Sequence, residues 1–346
     1  MIVDDSPVAR TVLSRMIFPH KQFEVVALAA NATEAIEVLG EHKVDIVLLD
    51  VEMPGPSGLE ALPEILEKGG GAQVLIVSSN CEDGAEAAVK ALALGAADTL
   101  PKPGAGTFVG RFADTLIERL RKIGRAARED GAEGHGQEEI AQHAKLRPMA
   151  VERLACLAIG ASTGGLHALN EFFAALPAIV DVPILITQHL PPVFMPYFAR
   201  QIQSASGRTT RVAETGFRVK RGEILVAPGD AHLSLRRQGN YVYSELVDAP
   251  ALSGCMPSVD TMFAGMAHVY GAHGMGIVLS GMGRDGLSGS KALVESGGAV
   301  IVQNQHSCAV WGMPRAVADA QLASAILPPA DLAMVAGAVA QGVPWM

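Results

Sequence analysis

Short apolar runs alternate with amphipathic stretches twice along this chain, and that alternation constrains the fold more than any other feature. In the first half, MIV (1–3), VDIVLL (44–49) and AQVLIV (72–77) read as strands buried on both faces. Between and after them, PVARTVLSRMI, ATEAIEVLGEH, GAEAAVKALAL and the closing TFVGRFADTLIERLRKIG space their apolar residues as helices do. Strands that alternate with helices pair in parallel, because each crossover returns the chain to the same end of the sheet, so a doubly wound α/β sheet is predicted. A second series begins near Val151, with RLACLAIG, VPILITQ, EILVAPG, GMGIVLSG and GAVIVQN as strands. HLSLRRQGNYVYSEL alternates in polarity around Gln-Gly-Asn and predicts a β-hairpin on an edge.

The stretch between the two series, RAAREDGAEGHGQEEIAQHAKLRP (125–148), is polar and lacks a sustained apolar stripe. It reads as a linker, with a surface helix extending the first unit as the alternative for part of it. A chain of 346 residues also exceeds what one core usually serves. The expected division is a first domain over 1–123, a linker over 124–152 and a second domain over 153–346.

Composition narrows the function. A net charge of −9 opposes general nucleic-acid binding, and 5% aromatic residues leave little for base stacking. No apolar run reaches the length of a membrane span, and no secretory signal opens the chain, so a soluble, cytoplasmic protein is expected without membrane insertion. The four cysteines, Cys81, Cys156, Cys255 and Cys308, are scattered without metal-type spacing and read as reduced thiols, mostly in the core.

Chemistry gathers where strands end. Asp4 and Asp5 follow MIV, and Asp50 follows IVLL. The carboxyl ends of parallel strands form the ligand crevice of such sheets. Clustered carboxylates repel one another unless a cation holds them, and hard oxygen donors suit Mg²⁺. Ser78 closes the next strand, and Lys102 lies in TLPKPG where another would end. Acids, a hydroxyl and an ammonium in one crevice are what phosphoryl transfer onto a carboxylate needs. The segments VDD, LLDVEMPGPSGLEAL, VSS and PKP resemble a response-regulator receiver domain. The resemblance implies Asp50 as phosphoacceptor, a Mg²⁺ site of Asp4, Asp5, Asp50 and the Glu52 carbonyl, Ser78 as switch hydroxyl, Lys102 as phosphate partner, and a histidine kinase as phosphodonor. Thr99 stands where that family usually carries an aromatic switch residue.

In the second half, Gly160-Ala161-Ser162-Thr163-Gly164 ends a strand and opens a helix. Such a loop can raise a serine nucleophile or cradle a phosphate, since both place helix amides near negative charge. A serine needs a base and the base an orienting acid. His189 follows the strand VPILITQ, and Asp285 follows GMGIVLSG. His167 is expected on the surface, His232 on the rim of the cleft, and Asp230 and Asp260 as caps or turn formers.

The order Ser162, His189, Asp285, with GASTGG, QHLPP, VAPGDAHL, MPSVDTMF, SGMGRDG and QNQHSCAVWGMPRAV, is similar to the catalytic domain of chemotaxis protein-glutamate methylesterases. That likeness implies Ser162 as nucleophile, His189 as general base and Asp285 as its orienting acid. Backbone amides at Thr163 and Met282 would steady the oxyanion. It implies methyl-accepting chemoreceptors as substrates, methanol as product, glutamine deamidation by the same machinery, and no cofactor for this domain. Two units on one chain further imply that the unmodified receiver covers the esterase rim until Asp50 is phosphorylated. Two alternatives stand beside this reading: a receiver-linked esterase or amidase with another substrate, and a receiver-linked binding module without catalysis.

Overall fold

Five short parallel strands form the first sheet: β1 (Ile2–Val3), β2 (Leu28–Ala29), β3 (Ile46–Leu49), β4 (Gln73–Ser78) and β5 (Asp98–Pro101), in the order β2-β1-β3-β4-β5. Five helices accompany them: α1 (Pro7–Ile17), α2 (Ala32–Glu41), α3 (Gly58–Lys68), α4 (Glu82–Ala93) and α5 (Val109–Ala132). The computed structural model describes residues 1–78, 82–102, 109–132, 146–149, 151 and 153–343. The chain divides into two compact units, Met1–Gly134 and His135–Met346.

Local chemistry places the first-unit helices. The Ser6 hydroxyl accepts from the Ala9 amide, and Pro7 supplies a helical φ at the first turn, so α1 begins directly after the acids. Ser57 and Glu60 cap the start of α3 reciprocally. Ile2, Leu48, Leu75 and Val77 of the sheet pack with Leu13 and Ile17 of α1 and with Leu116, Leu120 and Ile123 of α5. The expected linker is corrected in its first part. α5 continues through Ala132, because RAARED is rich in strong helix formers and needs no apolar stripe to extend a helix already begun. The rest of that stretch, 133–145, lies outside the described residues.

The second unit carries a seven-stranded sheet, β6 (Cys156–Ala161), β7 (Ile184–Gln188), β8 (Thr210–Val212), β9 (Ile224–Val226), β12 (Gly274–Val278), β13 (Ala299–Gln303) and β14 (Ala325–Leu327). Every pairing is parallel, and the order is β14-β13-β12-β6-β7-β9-β8. Its helices are α6 (Gly165–Ala175), α7 (Met195–Ser206), α8 (Val259–Tyr270), α9 (Leu287–Glu295), α10 (Met313–Asp319) and α11 (Pro329–Ala340). β10 (His232–Gln238) and β11 (Tyr241–Val247) form the expected hairpin, but as a separate two-stranded sheet and not on an edge of the large one. Leu233, Leu235 and Val242 give it an apolar face, buried in one cluster with Val259, Met262, Phe263 and Met266 of α8. Burying that face against a helix satisfies it better than an exposed sheet edge would.

Both sheets are of the doubly wound α/β kind, and both reverse direction once. The first chain runs from β1 outward to β2, then returns to the other side of β1 as β3. The second runs from β6 to β7 and beyond, then returns to the other side of β6 as β12. Helices leave to opposite faces at such a reversal and open a crevice at the strands' carboxyl ends. The acids after β1 and β3 and the loops after β6 and β12 therefore sit at the two reversal points. The thiols differ from expectation: of the three described, Cys156 is fully buried, whereas Cys255 and Cys308 are half-exposed. Cys81 lies outside the described residues. No helix among the described residues is long and apolar enough to cross a membrane.

Candidate active site

In the first unit, Asp4 and Asp50 are buried at the reversal point and Asp5 is exposed beside them. One oxygen from each of the three carboxylates falls within 4.8 Å of the others. Lys102, from the end of β5, joins two of them: its Nζ lies 2.6 Å from Asp50 Oδ2 and 3.0 Å from Asp4 Oδ2. Burial pushes the Asp50 carboxyl up, and the Lys102 ammonium works against that. Burial also lowers Lys102, but its bonds to Asp50 and Asp4 more than reverse the effect and leave it raised. The Glu52 amide donates to Asp50 Oδ1 at 3.4 Å. Ser78 is buried at the end of the neighbouring strand, and its hydroxyl has no hydrogen-bond partner among the described residues; the same holds for Thr99. Three clustered carboxylates, two of them paired with one lysine, suit a small hard cation together with one phosphoryl group.

The second site is built on the reversal between β6 and β12. β6 and β7 pair up to Ala161 opposite Gln188, so Ser162 and His189 are the next residues along the same register. The His189 amide donates to the Ala161 carbonyl at 3.2 Å, and the Ser162 amide donates to the Ser280 carbonyl at 2.9 Å in the loop after β12. That loop brings Asp285 back to His189, whose Nε2 lies 2.8 Å from Asp285 Oδ2. Ser162 and His189 share no hydrogen bond among the described residues, which is common before substrate binds.

Asp285 is almost fully buried and accepts four hydrogen bonds. The Ser258 hydroxyl donates to Oδ1 at 2.7 Å and the Asp260 amide at 3.3 Å; the Val259 amide donates to Oδ2 at 2.7 Å beside His189. The carboxylate thus caps the N-terminus of α8 from a distant loop, in the positive field of the helix end. Burial alone would raise its carboxyl, but His189, the Val259 amide and the Ser258 hydroxyl hold it well below the usual carboxylate range. Burial likewise lowers His189, and pairing with Asp285 and Cys255 outweighs it, raising the imidazole to about 9.

A polar cage fixes the turn at Ser162. Gln188 Nε2 donates to the Ser162 carbonyl at 2.8 Å, and the Ser280 hydroxyl donates to the Thr163 carbonyl at 2.7 Å. Gln303 Oε1 accepts from the Ser280 amide at 2.7 Å. Gly164 reaches the helix through φ +72°, a conformation that glycine adopts without strain. Gly281 lies flat against this turn: its amide donates to Val310, and its carbonyl accepts from Gly312 and Met313. The amides of Thr163 and Met282 donate to no carbonyl among the described residues. A methyl group on Gly281 would sit 2.8 Å from Ser162 Cβ and collide with the Met313 sulfur. Gly281→Ala is therefore expected to cost about 1–3 kcal/mol of stability by overpacking and to displace Ser162; a thermal melt alongside turnover measures both effects.

Ser258, Gln188, Ser280 and Gln303 escaped the reading of single residues. Ser258 carried a usable signal, Ser-Val-Asp before an apolar helix, although its hydroxyl serves Asp285 and not its own helix. Other expectations resolve differently. His232 is not on the rim: it is fully buried, accepts from the Ser258 amide on Nδ1 at 2.9 Å and pairs through Nε2 with the Ala249 carbonyl at 2.9 Å. Its imidazole offered the backbone before α8 an internal acceptor, so it holds Ser258 beneath Asp285. Asp260 caps no turn of its own: from the first turn of α8 it accepts from the Gly289 amide at 2.8 Å, in the first turn of α9. His167 is exposed on α6 beside Glu171.

Fold and site together define a two-domain α/β protein in which a receiver-type acidic crevice precedes a domain with a hydroxyl, an imidazole and a carboxylate at the ends of neighbouring strands. Comparison with known proteins agrees in both halves. The family described as CheB methylesterase matches residues 157–335, and the response regulator receiver domain matches residues 1–108. The chain belongs to the CheB methylesterase family and carries a response-regulator receiver domain. It is 37% identical, over 96% of its length and 92% of the relative's, to protein-glutamate methylesterase/protein-glutamine glutaminase 1 of Rhodospirillum rubrum. It is 40% identical, over 95% of its length and 94% of the relative's, to protein-glutamate methylesterase/protein-glutamine glutaminase 2 of Caulobacter vibrioides. The crystal structure of the Thermotoga maritima CheB methylesterase catalytic domain aligns with a TM-score of 0.51 at 33% identity, covering 53% of this chain and 97% of that one.

Proposed function

We infer that the protein is a phosphorylation-controlled serine hydrolase that removes methyl groups from glutamate γ-esters on the cytoplasmic helices of chemoreceptors and deamidates glutamines there. The observation that carries this reading is the 2.8 Å bond between His189 and Asp285, made one register step from Ser162 at the sheet's reversal point. The names of relatives that match along nearly the whole chain supply the substrate class.

Ser162 Oγ attacks the ester carbonyl carbon while His189 takes its proton. Asp285 sits on Nε2, so Nδ1 is the ring nitrogen left to serve as base, and Asp285 stabilises the imidazolium that forms. The Thr163 and Met282 amides receive the developing oxyanion; one such donor is typically worth about 3–4 kcal/mol. His189 then protonates departing methoxide, giving methanol and an acyl-enzyme, and a water activated by the same imidazole releases glutamate. A glutamine amide follows the same course with ammonia as the leaving group.

In the receiver, Asp4, Asp5 and Asp50, with the Glu52 carbonyl, would hold Mg²⁺, which lends positive charge to the phosphoryl oxygens during transfer. Asp50 takes the phosphoryl group from a histidine kinase, Lys102 balances its charge and Ser78 supplies a hydroxyl to one of its oxygens. The decisive experiment measures methanol release from methylated receptor with and without a small-molecule phosphodonor. Wild type is expected to release methanol faster when phosphorylated, and Asp50→Asn to show no response. Absence of methanol release from wild type under both conditions would overturn the reading.

The imidazole must be neutral to accept the serine proton. With His189 raised to about 9, kcat/KM is expected to rise about tenfold per pH unit on the acid side and level off near that pH. A profile already flat at neutral pH would show that the imidazole is neutral there.

A further inference from the structure

One ligand atom from each of His189, Cys255 and Asp285 falls within 4.8 Å of the others. Imidazole, thiolate and carboxylate are donors that Zn²⁺ takes in three-ligand sites with an open fourth position. The hydrolytic mechanism uses His189 and Asp285 and leaves Cys255 without a task, although its sulfur lies within 4.8 Å of a ring nitrogen of His189. Solvent reaches the group: Cys255 is half-exposed and the His189 side chain is 15% exposed. The surroundings are built as metal sites require, since Ser258 and the Val259 amide fix the carboxylate and leave it little freedom to lose on binding.

We propose that His189, Cys255 and Asp285 form a binding site for a thiophilic divalent cation, Zn²⁺ or its analogue Co²⁺, and that filling it shuts off hydrolysis. The thiol gives its proton to solvent as the metal–sulfur bond forms. Placing the ion between the ring and Asp285 Oδ2 widens their 2.8 Å contact by about half an ångström, which replaces the orienting hydrogen bond. A neutral imidazole has one lone pair. Once one ring nitrogen holds the ion, the other carries the hydrogen, and the serine proton has nowhere to go. Mg²⁺, a hard ion, has little affinity for the thiolate, so the receiver's cation and this one would not compete.

The test is a Co²⁺ titration of the full-length protein with Mg²⁺ in excess to occupy the receiver carboxylates. Wild type is expected to bind one equivalent with a near-ultraviolet thiolate-to-cobalt charge-transfer band. Cys255→Ser and Cys255→Ala should lose the band and weaken binding by about tenfold or more, while Cys308→Ser keeps both. Zn²⁺ should displace the cobalt and, in parallel, suppress methanol release in wild type but not in the Cys255 variants, each normalised to its own metal-free rate; a chelator should restore it. A wild type without the band, or a band that survives both Cys255 substitutions, overturns the site. Zinc that displaces cobalt yet leaves methanol release unchanged overturns the shut-off. The inhibition arm rests on the esterase reading, whereas the cobalt spectrum does not, so failure of one is distinguishable from failure of the other.

Discussion

Replacing Ser162 with alanine is expected to lower methanol release by about 10⁴-fold or more, while the domain keeps its fold. Both halves of that result follow from how the turn is held. Its backbone is clamped by the Ser280 carbonyl, by Gln188 Nε2 and by the Ser280 hydroxyl, and none of those bonds involves the Ser162 side chain. Removing Oγ therefore deletes the proposed attacking atom and nothing that positions the loop. Ser162 is half-buried and its hydroxyl holds no structural bond among the described residues, so its loss should change stability by less than about 0.5 kcal/mol. Single-turnover methanol release and labelling by a serine-directed reagent should fall together as the melting temperature stays put. Turnover close to wild type would move the nucleophile to another side chain.

Asp285→Asn is expected to have the second large effect, and it differs because both activity and stability should fall. Four donors converge on the carboxylate. An amide turns one oxygen into an NH₂ group, so at least one buried donor then faces another. That costs about 1–3 kcal/mol. If the amide nitrogen faces His189, the ring takes the opposite tautomer and the nitrogen toward Ser162 carries a hydrogen where a lone pair is needed. The corresponding change in a serine protease lowers turnover by about 10⁴-fold. Turnover that drops only in proportion to the folded fraction would mean that Asp285 is a helix cap and nothing more.

Much of the architecture was legible because its signals are local. α1 starts and stops where Ser-Pro and the apolar spacing place it, and the carboxyl ends of β1, β3, β6 and β7 follow from where the apolar runs stop. β2, β8 and β14 escaped because two or three residues carry no periodicity; only pairing with a longer neighbour makes them strands. The paired acids and Lys102 could be listed from sequence, yet their convergence on one ion-pair cluster depends on strand order. The site's supporting cast was hidden for a similar reason. His232, Ser258 and Asp285 are far apart in the chain, and their hydrogen bonds arise only once α8 is laid beside the loop after β12. Cys255, an unremarkable thiol in the sequence, acquires meaning only from the imidazole it meets.

Lys102 shows how the receiver separates folding from chemistry. Its ammonium bridges Asp4 and Asp50, so the protein supplies its own counter-ion to the two buried acids. Stripping divalent ions should then halt phosphotransfer and leave the domain standing, because the charge that steadies the two acids is part of the chain itself.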